Sequence, residues 1–480
     1  LALGLTACGT DATEPPIDPP EARATWYQDV APILAGHCMT CHQDGGIAPF
    51  VLTDYDSAKE MAGVALDAID RGVMPPFDAR EADDCTPRFD WVDDPRLSDT
   101  QKTILQNWVD DGYPLGEVAE IPGIPNADLT NPSMRLTPTT GYATSGDRDE
   151  FICYVLDPGN TQLQWLTGLQ VLPDNDQVVH HAVITEVAPG ADQDALLQRS
   201  GGVGVPFDCG TVGTPTDFVV HIWTPGNQPM STSDQIAVPI VAGAKLVMQI
   251  HYHPAGLVHA PDKTAIDLRF SQTWPQRMYF VTALGNAFEA PTLLPGPGDV
   301  NGTPEFLIPK NVANHTEHMR VTIPDLGELT DVRLFSANPH MHLIGTSINA
   351  TIERPAPRGG DPQTECLANG GWNFDWQRTY TYDAPLDKLP TIAAGDVVDI
   401  KCGWNNTIEN PFVQRMLEDS GLSQPIDVTL GEQTTNEMCL QIFGLSLPAP
   451  AEPASNKPYP TTIEFPAALA QMRVNPDMLQ

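Results

Sequence analysis

The stretch Leu246-Val247-Met248-Gln249-Ile250-His251-Tyr252-His253 alternates as a β-strand does. Successive side chains of a strand point to opposite faces, so Leu246, Met248 and Ile250 share one face while Val247, Gln249 and His251 share the other. The same texture runs through the chain beyond about residue 135, where helical periodicity is nearly absent. In a chain of 480 residues, 47 prolines and 38 glycines supply turns for many short strands. The predicted fold is mainly β. That length exceeds what one hydrophobic core serves, so two or three domains are expected.

The net charge of -37 argues against nucleic acid and anionic lipid headgroups as partners and fits solubility in a salty exterior. The opening Leu-Ala-Leu-Gly-Leu-Thr-Ala-Cys-Gly reads as the tail of an export signal ending in a lipobox, with Leu5, Thr6 and Ala7 before Cys8. A lipid anchor at Cys8 and an exported, periplasmic or cell-surface location are expected. Residues 10–21, rich in Pro, Asp and Glu, read as a tether.

Ahead of the strands lies a short helical region. Val30, Ile33 and Leu34 recur at helical spacing, with Pro32 tolerable only in a first turn. Ser98 with Gln101 makes a capping box for a helix carrying Ile104, Leu105, Trp108 and Val109, which Gly112 and Pro114 end. Between these helices stands Cys38-Met39-Thr40-Cys41-His42. Two thiols so spaced add to the vinyl groups of a haem, and the following histidine reaches the iron. Met74, in Gly72-Val73-Met74-Pro75-Pro76, is the candidate sixth ligand, held on an extended strap by the prolines. The stretch from 26 to 50, with the Met-Pro-Pro element and the closing helix, resembles the cytochrome c domains fused to bacterial oxidoreductases. One covalently bound haem c is expected there.

Six of the 12 histidines gather in three tight clusters: His180 with His181, His251 with His253, and His340 with His342. A His-x-His pair on a strand turns both rings to one face, whereas His180 and His181 need a bulge or a strand end to share an ion. His-His, then His-Tyr-His, then His-Met-His, then Asn436-Glu437-Met438-Cys439 resembles the copper type II, ascorbate-dependent monooxygenases, the family of dopamine β-hydroxylase and the peptidylglycine hydroxylase. The resemblance covers about 150–450 through scattered motifs.

It implies two copper ions. His180, His181 and His251 would hold the copper that passes electrons, and His340, His342 and Met438 the copper that meets oxygen, where a thioether favours Cu(I). His253 is expected to support the first set without binding, and His221, His259, His315 and His318 to be structural. Two β-sandwich domains with an open cleft between the metals are implied, as is a Cys402–Cys439 disulfide. Cys85, Cys153, Cys209 and Cys366 leave three pairings open. The expected organisation is 1–23 leader and tether, 24–118 cytochrome c domain, 119–295 first sandwich and 296–480 second, the last border lying in the Gly- and Pro-rich residues 295–303.

The activity implied is hydroxylation of a C–H bond of a small organic substrate with O2, electrons arriving through the haem from an external cytochrome or small reductant. The other reading is a non-catalytic copper or electron carrier on the same scaffold. The peptide hydroxylase holds its substrate carboxylate with groups at places that are here Asn338, Leu440 and Ile442. A peptide ending in glycine would find no cation there, so another substrate is expected.

Overall fold

A computed structural model describes residues 23–454, except 45, 47, 83, 125–127, 147–148, 211–217, 226, 254–258, 300–301, 328, 432 and 434. The lipobox and tether lie outside the described residues. Strand accounts for 34% and helix for 15%, so the protein is mainly β. The chain divides into two compact units, one of residues 23–77 and 95–124, the other of residues 78–94 and 128–454.

The regular elements of the first unit are helical. A π-helical turn, Trp26–Val30, runs into the helix Ala31–His37, with Pro32 in its first turn, where a missing N–H costs nothing. Asp54 caps Tyr55–Asp70 by accepting from Asp56 N and Ser57 N. Ser98 and Gln101 form a reciprocal capping box on Asp99–Asp110. Trp26, Val30, Leu34, Met39, Leu105 and Trp108 are buried together, with Trp26 packed on the rings of Tyr55 and Trp108. Cys38, Cys41 and His42 occupy the turn that follows the first α-helix.

Three larger sheets build the second unit. A five-stranded sheet has the order Phe207–Asp208, Glu150–Leu156, Lys245–Tyr252, Val179–Val187, Phe218–Trp223. Its middle strand, Lys245–Tyr252, is buried at every residue after Lys245, because both faces are covered. A ten-stranded sheet runs through Gln164–Leu172, Ile236–Ile240, Arg277–Gly285, Leu440–Pro448 and Val332–His340. Another five-stranded sheet orders Leu293–Leu294, His315–Thr322, Val397–Trp404, Gly345–Glu353 and Thr364–Gly371.

The ten-stranded sheet carries strands from both sides of 295: Arg277–Gly285 pairs along its whole length with Leu440–Pro448 and at its start with Ile236 and Ala237. One expected border moves. Residues 78–94 leave the first unit and are built into the second, interrupting the expected 24–118 domain. The Cys85–Cys366 disulfide fixes them there, Arg88 reaches Asp361 at 2.6 Å and Glu365 at 2.9 Å, and Trp91 stacks on Tyr382. Cys153–Cys209 and Cys402–Cys439 complete the disulfides among the described residues. Three disulfides fit folding in an oxidising compartment outside the cytoplasm. No described helix is long and apolar enough to cross a membrane.

Candidate metal centre

Strand register brings the first three histidines to one point. His181 lies directly across the ladder from His251, while Val179 lies across from Tyr252. His180 is therefore the extra residue of a bulge, and a bulge turns two adjacent side chains to the same side. Nδ1 of His181 is 3.2 Å from Nδ1 of His180 and 3.4 Å from Nδ1 of His251. Two nitrogens each ~2 Å from a shared ion stand about 3.3 Å apart in tetrahedral geometry, so three Nδ1 atoms at these spacings fit a metal ion.

The far side of His251 is held as well. Its Nε2 lies 3.2 Å from one oxygen of Asp149, whose other oxygen is 2.6 Å from Nδ1 of His253. The Asp149 carboxylate thus stands at the His251 nitrogen that does not face His181, and bridges His251 to His253. His253 accordingly supports the centre from behind and is absent from the group of three. Burial works against ionisation of Asp149, but hydrogen bonds and charge from His251 and His253 outweigh it and hold the carboxyl well below the usual range. Phe151 stacks flat on His251 at 4.5 Å.

At the second pair the donor atoms are reversed. His342 Nδ1 is 3.2 Å from the Asn436 carbonyl, which can only accept, so Nδ1 carries the proton and Nε2 the lone pair. His340 Nδ1 is 3.1 Å from Gln377 Oε1, and Gln377 Nε2 donates to the Phe374 carbonyl, so His340 is in the same tautomer. Glu437 joins this pair to Met438: its buried carboxylate accepts from His342 N at 2.9 Å, Ile344 N at 2.8 Å and Met438 N at 3.2 Å. Cys439, next in the chain, is bonded to Cys402 and accepts at its carbonyl from Asn286 N. Gly285 makes that approach possible, since at its φ of +127 a Cβ would run into the Cys439 oxygen.

The two histidine sets adjoin, which corrects the expected open cleft: the rings of His181 and His340 are 6.5 Å apart between centroids. Burial, then the neighbouring imidazoles, lowers His180 and His181 well below their ordinary value. Burial brings His340 down to about 4 and His342 to about 3. All four are neutral nitrogen donors at pH 7. The other histidines have different surroundings: His315 pairs with Glu317, His318 with Asp399, and His221 is buried within its strand.

In the first unit, Nδ1 of His42 is 3.0 Å from the Phe50 carbonyl, leaving Nε2 as the lone-pair atom. Cys38 and Cys41 are not disulfide-bonded. Burial, reinforced by Cys41, pushes the Cys38 thiol up to about 12, opposite to the lowered value of a redox dithiol. These residues fit thioether attachment and axial ligation of a haem. Met74 is 41% exposed, so packing does not account for it as a core methionine.

A cavity of about 140 Å³ is lined by Asn338, Thr379, Val281 and Ile442, and also by Arg378 and Asp93. Leu440 is not part of it. The expectation that this place holds no cation is corrected by Arg378, which lies just before the strand Tyr380–Thr381 and donates to the Asp93 carbonyl at 3.0 Å.

Asp149, Gln377 and Phe374 were not visible as site residues in the sequence; only Glu437 sat within a motif. No protein-family model and no curated protein matches the chain. Among solved structures, Broad Bean Stain Virus aligns over 65% of this chain and 92% of its own, at 8% identity and TM-score 0.26. PNGF-II aligns over 66% and 65%, at 9% identity and TM-score 0.26. The VP2 subviral particle of infectious bursal disease virus aligns over 66% and 71%, at 9% identity and TM-score 0.18. Likeness at this level carries no functional argument.

Proposed function

We propose that the protein is a copper-dependent monooxygenase with its own c-type haem, exported and anchored by lipid at Cys8. The observation that carries this reading is that the two histidine sets present different atoms: three Nδ1 atoms converge at His180, His181 and His251, while His340 and His342 turn Nδ1 to an acceptor and leave Nε2 as the lone-pair atom. Unlike donor sets suit unlike tasks. Three imidazoles serve both oxidation states of copper, and a thioether with two imidazoles favours Cu(I).

Bound copper would supply reduction of dioxygen and hydroxylation of a C–H bond, with two electrons needed per turnover. The chain's own residues do the rest. Gln377 holds the His340 ring proton on Nδ1, Asp149 lies beside Nε2 of His251, Glu437 keeps His342 and Met438 in register, and burial shields His251 and His342 from water. In the first unit, Cys38, Cys41, His42 and Met74 would hold one haem c of a cytochrome c-like domain and take up single electrons from an external donor. The cavity beside Asn338 and Ile442 offers a small organic substrate both apolar walls and polar anchors.

Oxygen uptake by the copper-loaded, reduced protein across a panel of small organic compounds tests this. Uptake that depends on one class of compound, yields its hydroxylated product and is abolished in Met438→Ala is expected. A Met438→Ala variant with unchanged turnover removes the second site from the chemistry.

A further inference from the structure

Residues 372–379, between Thr364–Gly371 and Tyr380–Thr381, touch both histidine sets. Trp372 Nε1 donates to the His342 carbonyl at 2.8 Å. Phe374, 3% exposed, stacks on the His180 ring at 4.5 Å and an interplanar angle of 21°. Gln377, equally buried, accepts from His340 Nδ1, and its carbonyl accepts from the Thr224 hydroxyl at 2.9 Å. Thr379 N donates to Asn227 Oδ1 at 2.9 Å. Thr224 and Asn227 follow Phe218–Trp223, the strand paired with the one that carries His180 and His181. On its outer side the segment is pinned by Arg415, which reaches Asp375 at 2.7 Å and lies over the Phe374 ring.

We propose that residues 372–379 form a clasp that holds the two histidine sets as one cluster, with Phe374 positioning His180 and Gln377 positioning His340. The proposal rests on the copper reading for its consequence: with one segment fixing a ring of each set, a change at Phe374 is felt at His340 as well as at His180. A stacked ring and a donated hydrogen bond fix both orientation and separation, because turning either imidazole means breaking a buried contact. Packing alone would not require one short segment to contact a ring of each set and also the loop after Phe218–Trp223.

The test uses the full chain. With two Cu(II) ions bound, electron paramagnetic resonance of Phe374→Ala should show altered hyperfine parameters at both ions at undiminished copper content, with the native values restored in Phe374→Tyr. Phe374→Ala spectra identical to native, or altered at the three-histidine ion alone, would overturn the clasp. If copper counting gives fewer than two ions, the copper reading fails, and the clasp is then decided without metal. In copper-free protein labelled at histidine, Phe374→Ala should shift the nuclear resonances of His340 as well as His180. A shift confined to His180 reduces Phe374 to local packing and overturns the proposal.

Discussion

Neutral, buried imidazoles link the site to pH. An unfolded histidine takes up a proton as pH falls through about 6.5, whereas folded His340 and His342 wait until about 4 and about 3. The unfolded state thus binds more protons across that window, and stability is present above about 6.5 and lost as pH falls toward 4. Between pH 7 and 5 each such histidine removes about 2 kcal/mol. Glu186 and Glu437 act with opposite sign, burial having raised them to about 8 and about 7. The contribution is therefore read as a difference. Denaturant melts of metal-free His340→Gln, His342→Gln protein should show about 4 kcal/mol less loss between pH 7 and 5 than the native protein; an equal loss would mean these rings are protonated in the fold. Asp149 gives a second residue-scale test. In the Asp149→Asn variant the carboxylate that fixes His251 is gone, and Cu(II) affinity at the three-histidine site should fall about 10- to 100-fold by titration. Unchanged affinity would leave Asp149 a structural ion-pair partner only.

Among the elements, the strand Leu440–Pro448 carries the most consequence. It pairs with Arg277–Gly285 on one side and Val332–His340 on the other, so Met438 and Cys439 at its start are fixed relative to His340. Glu437 completes the tie by accepting three buried N–H groups. Glu437→Ala strands these donors and should cost about 3 kcal/mol or more, at roughly 1–3 kcal/mol per unsatisfied group, read as a drop in melting temperature along with weaker Cu(I) binding. A variant with native stability would show that water replaces the carboxylate. Legibility in the sequence follows the range of the interaction. His340 and His342 were readable because a strand repeats every two residues, and the bulge at His180 was readable as a requirement of adjacent ligands. Asp149 was not, since it meets His253 across 104 residues, and neither was Gln377, 37 residues beyond His340. Neither carries a periodic signal; each is set by strand order, which alternation alone does not specify. The bounds 24–118 failed for the same reason: helix signals lie on both sides of residues 78–94, but a disulfide partner 281 residues away places that segment in the second unit.

At the scale of the whole molecule, one chain joins a haem-type motif to a pair of metal-type histidine sets, and the chain passes between its two units at 77–78, at 94–95 and again near 125. In the proposed reading, covalent linkage would make electron delivery intramolecular, at an effective concentration of order mM. After rapid reduction of the haem, its reoxidation in copper-loaded protein should proceed at a rate independent of protein concentration, and should slow strongly in the His180→Ala, His181→Ala variant. Equal rates in the two proteins would assign the haem to another partner. Most direct for the copper monooxygenase reading is copper counting joined to X-ray absorption of the reduced protein. The account predicts two coppers per chain and a sulfur neighbour at one of them that disappears in Met438→Ala while the three-histidine site keeps its ion. One copper or none, or two coppers with nitrogen neighbours alone, would contradict it.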